Sequence, residues 1–513
     1  MEKSLIVVNA LGIADWACRE FAQGAPAWKM TLNQLRTPPL EALDLVILRE
    51  TGEELLDTEE LRELRISGRG VHQVLTALAE QYPDYQYYIF ADITAPFIDP
   101  ELFLQFQQRA EEQLAHYAYG EHYPRGVTPQ VLSAEALAIL RGVSSARNFP
   151  FTDEAIFDLM GLDINSYDIE MIVSRHDFRR WRLDLRIRDA YSFALAERLL
   201  RIEPKLLERA PYPLLSETIG SHPEILRILP SYLELDLSGA CQLACGFCPR
   251  SLSEMTGYAD SPPAPREGVL RLIQDLAMMN PGATLALSPF SEPLLSADFT
   301  FVTEEALRQG LRVVIETNGL ALTEERARFL AGLDEERSII IISPDYARAE
   351  MYHQAKGRDA LAELDEKIRY LLTCRQRNIW LQIIQFENSD EEMDAFYTKW
   401  KDHEDAILPR KYNNWCGRLA GNAAVDLSPI RRAPCWHLAR DLVVRADGSV
   451  YLCKQDLAGA AIGNVFQEGL RAVWDRLDSV WRDHAQLYGQ DKLEIEAQDT
   501  LCARCDEWHT FNY

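Results

Sequence analysis

Apolar positions along the chain follow two alternating rhythms. Short runs such as "SLIVVNA", "LDLVILRE" and "YYIFADI" have the length and composition of buried strands. They alternate with stretches of helical period such as "DPELFLQFQQRAEEQLAHYAYG". Over residues 1–202 this alternation predicts an α/β domain. From Glu203 to Tyr232 five prolines break the pattern, and residues 203–232 read as a linker. The rhythm resumes over 233–415 with "YLELDLS", "ATLALSPF", "LRVVIETNG", "RSIIIISPD" and "IWLQIIQF", separated by helix-like stretches such as "REGVLRLIQDLAMMN" and "GRDALAELDEKIRYLLTCRQRN". Repeated strand–helix units predict a parallel sheet, open or closed into a barrel, whose site lies at the C-terminal ends of its strands. From residue 416 the repeats stop, and a shorter cysteine-bearing module occupies 416–513.

Composition narrows the function classes. A chain of 513 residues suggests about three domains. No apolar run reaches the length of a membrane span, and Asp15 and Arg19 interrupt the apolar start, which reads as a first strand and not a signal. A cytoplasmic protein with no membrane partner is expected. Lys and Arg total 53 against 79 Asp and Glu, a net charge of −26, so the average surface repels a phosphate backbone and nucleic acid is not an expected partner. All ten cysteines but Cys18 lie after residue 240, mostly in close groups. Such grouping favours metal over disulfides, because a bridge between near neighbours constrains little of the unfolded chain. Cys18 and Cys374 read as small buried hydrophobes.

The densest group is "SGACQLACGFCPR", with Cys241, Cys245 and Cys248 spaced C-x3-C-x2-C after a strand. Three thiolates so spaced converge on one cluster from a single loop, and three ligands leave one iron of a cubane open. Structural zinc is the alternative, but it needs a fourth ligand, and the nearest histidine, His222, lies before the strand. The loop, with Phe247 directly before the third cysteine, resembles that of the radical S-adenosylmethionine (radical SAM) enzymes. The resemblance implies a [4Fe-4S] cluster whose open iron chelates S-adenosylmethionine and whose electron, delivered by a donor such as flavodoxin or ferredoxin, cleaves it to a 5′-deoxyadenosyl radical. "SPFSEP" resembles the family's Gly-Gly-Glu-Pro motif with both glycines replaced, by Phe290 and Ser291; Glu292 is then expected at the methionine ammonium. "VVIETNGLALTEE" and "IIIISPD" resemble the next two strands, which implies cofactor contacts for Thr317, Asn318 and Ser343 and places Asp345 near substrate.

In the last module, Cys435 and Cys453 are followed by a C-x2-C pair, Cys502 and Cys505, and four sulfurs from two paired elements enclose one metal site. "DGSVYLC" and "AIGNVFQEGLRAVWDRL" resemble the SPASM extension of radical SAM enzymes, which implies one auxiliary [4Fe-4S] cluster. Zinc remains the alternative, and Cys416 is an extra or substitute ligand ranked below Cys435. Residues 1–202 show a fainter resemblance to GT-A-like cytidylyltransferases, in "YYIFADITAPFIDPELFLQFQQ", "PRGVTPQVLSAEALAIL" and "RRWRLDLRIRDAYSFALAERLL", the last taken as a late strand bearing an aspartate. That likeness implies a metal pair at Asp92 and Asp184. The Gly-rich, basic phosphate loop is missing, so a degenerate recognition or scaffolding domain is expected. The full architecture resembles the spiro-SPASM proteins. Hydrogen abstraction from a peptide or protein side chain is the leading expectation; a cluster-bearing scaffold without turnover, and a nucleotide-linked sugar as substrate, are the alternatives.

Overall fold

The computed structural model describes residues 2–21, 24–53, 61–208, 211–287, 289–375, 377–419, 428–485 and 500–510. The chain folds as two compact units, Met1–Leu226 and Arg227–Tyr513.

The first unit is built on seven strands: β1 (Ser4–Asn9), β2 (Asp44–Glu50), β3 (Glu63–Ile66), β4 (Tyr87–Asp92), β5 (Tyr117–Glu121), β6 (Gln130–Ser133) and β7 (Ile169–Val173). Their order is β3-β2-β1-β4-β6-β5-β7, with β6 antiparallel to both neighbours. Strands β1 and β4 are buried on both faces, which is why they read as unbroken apolar runs; Val7 pairs with Val46 on one side and Phe90 on the other. Two expectations are corrected here. The late aspartate strand is not a strand: Asp184 makes only an isolated bridge to Arg125, between a 3-10 turn (Arg179–Trp181) and the helix Ala190–Ile202. The segment expected to be a linker is folded, with helical turns at Pro204–Leu207 and Pro223–Leu226 flanking a helix at Pro211–Ser221, and with Leu206, Leu215, Ile219 and Ile225 buried. Pro204, Pro211 and Pro223 begin helices, where the missing N–H would lack a partner anyway.

The second unit has nine strands: β8 (Tyr232–Leu235), β9 (Thr284–Leu287), β10 (Arg312–Thr317), β11 (Ser338–Ile342), β12 (Ile379–Gln385), β13 (Ile407–Lys411), β14 (Asp441–Val444), β15 (Ser449–Val450) and β16 (Gly463–Asn464). Strands β8 to β13 run parallel in chain order, as the strand–helix rhythm predicts. Alternate side chains face opposite ways. Leu233, Leu285, Val313 and Ile340 join the helices, including Leu272 and Ile273 of Arg266–Met279, in one large core, while Tyr232, Ala286, Val314 and Ile341 form a smaller cluster on the other face.

The C-terminal module is not a separate domain. Strand β14 pairs parallel with β8, Val443 opposite Glu234, so that the first strand of the barrel lies between β9 and a strand from the module. Strands β14, β15 and β16 then form the antiparallel end of the same sheet.

Candidate functional site

The three-thiol loop leaves β8 through Gly239, where a Cβ would stand 1.9 Å from the carbonyl oxygen of Tyr258; only glycine fits so close an approach. Two loop amides dock on the last turn of the helix Ala349–Lys356, Ala244 N donating to the Lys356 carbonyl (3.4 Å) and Gly246 N to the Ala355 carbonyl (3.0 Å). The helix end thus gives two of its orphan carbonyls to the loop. Cys241, Cys245 and Cys248 are free thiols whose pKa burial raises, pushing Cys245 up to about 12 and Cys248 to about 11; Cys241 and Cys248 raise Cys245 further, and Cys241 raises Cys248. Deprotonating such a set calls for a compensating cation, the chemistry of a thiolate-held iron–sulfur cluster. Among the described residues, no group of three or more His, Cys, Asp or Glu side chains closes round a single metal ion.

The turns after β9 and β10 meet this loop. Glu292 is only 2% exposed, and its carboxylate accepts from the Thr317 hydroxyl (2.6 Å), Asn318 N (2.8 Å) and Leu294 N (3.1 Å). Its amide donates to the Ala240 carbonyl at 2.9 Å. Glu292 was expected to face a ligand ammonium; its oxygens are instead engaged in tying the two turns together, and burial raises its pKa. Asn318 extends the connection, its amide nitrogen 3.8 Å from Cys241 Sγ and its side chain in reciprocal hydrogen bonds with Gln242. Ser343 joins through its amide, which donates to the Thr317 carbonyl at 2.9 Å. The ring of Phe247 stands edge-on to Phe386 at 6.0 Å.

The replaced glycines acquire a physical reason. Phe290 is buried with Met255, Tyr258, Trp415, Val443 and Leu457, and its ring centroid lies 6.1 Å from those of both Tyr258 and Trp415. Ser291 Oγ donates to Asp236 at 2.6 Å, and Phe290 N donates to the same oxygen at 3.2 Å. Asp236 is fully buried and also accepts from Tyr258 OH; burial pushes its pKa up to about 6. Phe290 therefore fastens the turn to the C-terminal module, and Ser291 fastens it to the end of β8. Sequence reasoning missed Asp236, although it continues the alternation Tyr232, Glu234, Asp236.

Asp345, expected near substrate, is engaged internally. At φ 61° and 2% exposed, it forms a buried ion pair with Lys356 (2.7 Å) and accepts from Gln382 Nε2 (3.0 Å). Lys356, also 2% exposed, donates to the Ser343 carbonyl and feels the charge of Cys245. It too was missed; its signal is a lone lysine at the end of the helix that follows β11.

In the C-terminal part Cys435, Cys453, Cys502 and Cys505 all lie within electrostatic range of one another, and burial raises the first three. The hairpin that delivers Cys453 turns at Gly448, whose φ is 84° and whose Cβ would stand 2.4 Å from Phe466. Cys435 N donates to His484 Nε2 at 2.9 Å; burial holds that imidazole neutral, its pKa lowered to about 4, so the nitrogen can accept. Cys416 is buried within electrostatic range of Cys453 and Cys505. A cavity of about 380 Å³ runs from Cys435, Cys453 and Cys505 to Glu234 and Glu316. It is lined by ion pairs: Glu234–Lys454 (2.6 Å), Glu316–Arg410 (3.0 Å) and His437–Asp441 (2.6 Å).

In the first unit, Asp92 and Asp184 do come together, but around arginine. Asp92 accepts from Arg188 (2.6 Å) and lies 4.0 Å from Arg186, which pairs with Asp184 (2.5 Å) and with Asp153. Arg186 is 3% exposed. With guanidinium groups already against both carboxylates, the pair as it stands does not fit a divalent cation. A cavity of about 500 Å³ adjoins this network, lined by Asn9, Asp92, Arg125, Asp153 and Tyr119.

A parallel sheet with three free thiols in the loop after its first strand, and four more thiols in the module paired to that strand, has the donor set of a protein that holds iron–sulfur clusters. The radical SAM superfamily model matches residues 235–398 and the iron-sulfur cluster-binding domain, SPASM, matches 435–506. An uncharacterized protein of Treponema pallidum is 30% identical over 378 residues, 71% of this chain and all of that protein. The chain belongs to the radical SAM superfamily and carries a SPASM domain, and with them [4Fe-4S] clusters and S-adenosylmethionine as cofactors. Two further relatives are a GTP 3′,8-cyclase of Aeromonas hydrophila, 29% identical over 34% of this chain and 52% of that protein, and a PqqA peptide cyclase of Rhizobium meliloti, 31% identical over 34% and 53%. The chain spans about half the length of each. Among solved structures, SuiB of Streptococcus suis bound to its precursor peptide SuiA aligns with 57% of this chain and 80% of that one, at 14% identity and a TM-score of 0.44. No helix among the described residues is long and apolar enough to cross a membrane.

Proposed function

We propose that Cys241, Cys245 and Cys248 hold the cluster that cleaves S-adenosylmethionine, that Cys435, Cys453, Cys502 and Cys505 hold one auxiliary cluster, and that the reaction abstracts hydrogen from a side chain of a peptide or protein. When bound, the first cluster supplies one electron, received from a small redox protein such as flavodoxin or ferredoxin, and an open iron for the methionine end of the cofactor. The observation that carries the reading is the contact between Asn318 and Cys241, by which the turn held by Glu292 and Thr317 borders the three-thiol loop. Glu292 fixes Thr317 and Asn318; Asn318 and Ser343 border the cofactor; Phe247 packs at the loop's edge.

The substrate reading is supported by the cavity that reaches from Cys435, Cys453 and Cys505 to Glu234 and Glu316, whose paired charges suit polar groups. The peptide-cyclase relative favours a peptide over the nucleotide of the other relative only by its name. Under anaerobic reduction with S-adenosylmethionine, the wild type should release 5′-deoxyadenosine without added substrate, and Cys245→Ala should release none. Iron-loaded wild-type protein that yields no 5′-deoxyadenosine would favour the scaffold reading.

A further inference from the structure

A charge buried in the second unit lacks the partners such a charge ordinarily has. A guanidinium taken out of water is costly unless an anion or a set of carbonyls meets it. Two buried arginines show the ordinary solutions. Arg227 pairs with Asp478 and donates to the Trp474 carbonyl at 2.7 Å. Arg375 donates to the carbonyls of Arg377 (2.8 Å), Leu330 (3.2 Å), Leu333 (3.1 Å) and Ser338 (2.8 Å). Arg432 has neither. It is 1% exposed, forms no ion pair with a described residue, and makes one long hydrogen bond, from Nη1 to the Cys505 carbonyl at 3.4 Å. Its Nε has no acceptor among the described residues. A second donor is stranded beside it. Trp508 is 3% exposed, its Nε1 has no acceptor among the described residues either, and its ring centroid lies 5.2 Å from Arg432 Cζ. Trp508 lines the cavity together with Cys435, Cys453 and Cys505. Two buried N–H donors and one unmatched positive charge thus stand at the auxiliary thiols.

We infer that Arg432 and Trp508 donate, through Nε and Nε1, to sulfur of the auxiliary cluster, and that Arg432 is the counter-ion of that cluster. This rests on the reading that Cys435, Cys453, Cys502 and Cys505 hold an iron–sulfur cluster. Such a cluster with its thiolates carries net negative charge, and its sulfurs are acceptors. Buried water on each N–H would satisfy the donors but would leave the guanidinium without a counter-charge. The reduced cluster carries one more negative charge than the oxidised one, so a fixed cation and hydrogen bonds to sulfur favour it. Arg432 and Trp508 therefore raise the reduction potential of the auxiliary cluster.

Redox titration of the anaerobically reconstituted protein, followed by electron paramagnetic resonance, tests this. Arg432→Met removes the charge and its donors while keeping an apolar stem. The auxiliary cluster should then be about tenfold harder to reduce, a fall of about 59 mV in its midpoint, while the midpoint of the first cluster stays at its wild-type value. Arg432→Lys keeps the charge and loses Nε, and should recover part of the fall, which a merely structural role of the side chain would not give. An unshifted auxiliary midpoint in Arg432→Met, or an equal fall in Arg432→Lys, overturns the inference. Should Arg432→Met fail to fold or to load, Trp508→Phe decides, because it removes one N–H and preserves an aromatic ring. A lowered auxiliary midpoint with about eight irons per chain bears the inference out, and an unchanged midpoint overturns it. A wild type with about four irons, one zinc and no second cluster signal would instead overturn the auxiliary-cluster reading, a result distinct from these.

Discussion

At the scale of single residues, buried carboxylates do much of the positioning. Asp236 holds the turn of Phe290 and Ser291 through two donors and accepts a third from Tyr258, yet burial lifts its pKa to about 6. An acid whose folded pKa exceeds its unfolded value binds its proton more tightly when folded, so stability is greatest below about pH 4 and declines as pH rises through about 6. The shift of about two units corresponds to a cost on the order of 3 kcal/mol at neutral pH. Asp236→Asn should remove this slope, so that urea midpoints measured between about pH 5 and about pH 7 flatten in the variant; an unchanged slope would refute the assignment. The cysteines were legible in the sequence because their spacing is itself the chemistry. The carboxylates were not: Glu292 and Asp345 stand at strand ends, where a ligand-facing acid and an internally bonded one look alike. What distinguishes them is the partner, Thr317 and Asn318 in one case and Lys356 in the other, and those partners arrive from elements distant in sequence.

At the scale of elements, the strands that were easiest to read are those buried on both faces, β10 and β11 among them, since a continuous Val and Ile run has few other uses. Short pieces escaped. Strand β14, four residues long, carries no periodicity that would announce its pairing with β8, and Pro204, Pro211 and Pro223 looked like breaks when they start helices. The hairpin beyond β14 gives a test. Gly448→Ala would place a methyl against Phe466 at a left-handed φ, and a cost of about 1–3 kcal/mol is expected. Because β14 and β8 share one ladder, the absorbance of both clusters should be lost in a single thermal transition, shifted downward in the variant; two separate transitions would contradict the shared sheet.

At the scale of the molecule, the two units differ in what their acids do. The first unit meets its aspartates with arginine, so titration of iron-loaded wild-type protein with Mn²⁺ should show no tight site attributable to Asp92 and Asp184. The double variant Arg186→Met/Arg188→Met, which frees Asp92, Asp153 and Asp184 together, should create one, visible as lost free-ion signal in paramagnetic resonance; tight binding in wild type would reverse the reading. In the second unit, the ladder between β8 and β14 joins residues about 200 positions apart. A ribosome adding about 5–20 residues per second takes roughly ten to forty seconds to cover that distance. For that interval the newborn barrel presents an open edge on its first strand, while Cys241, Cys245 and Cys248 have already been made. Iron delivery to the first site can therefore begin on a half-made chain, and closing the long loop afterwards, an entropic cost that grows only logarithmically with length, seals the strand from which that site hangs.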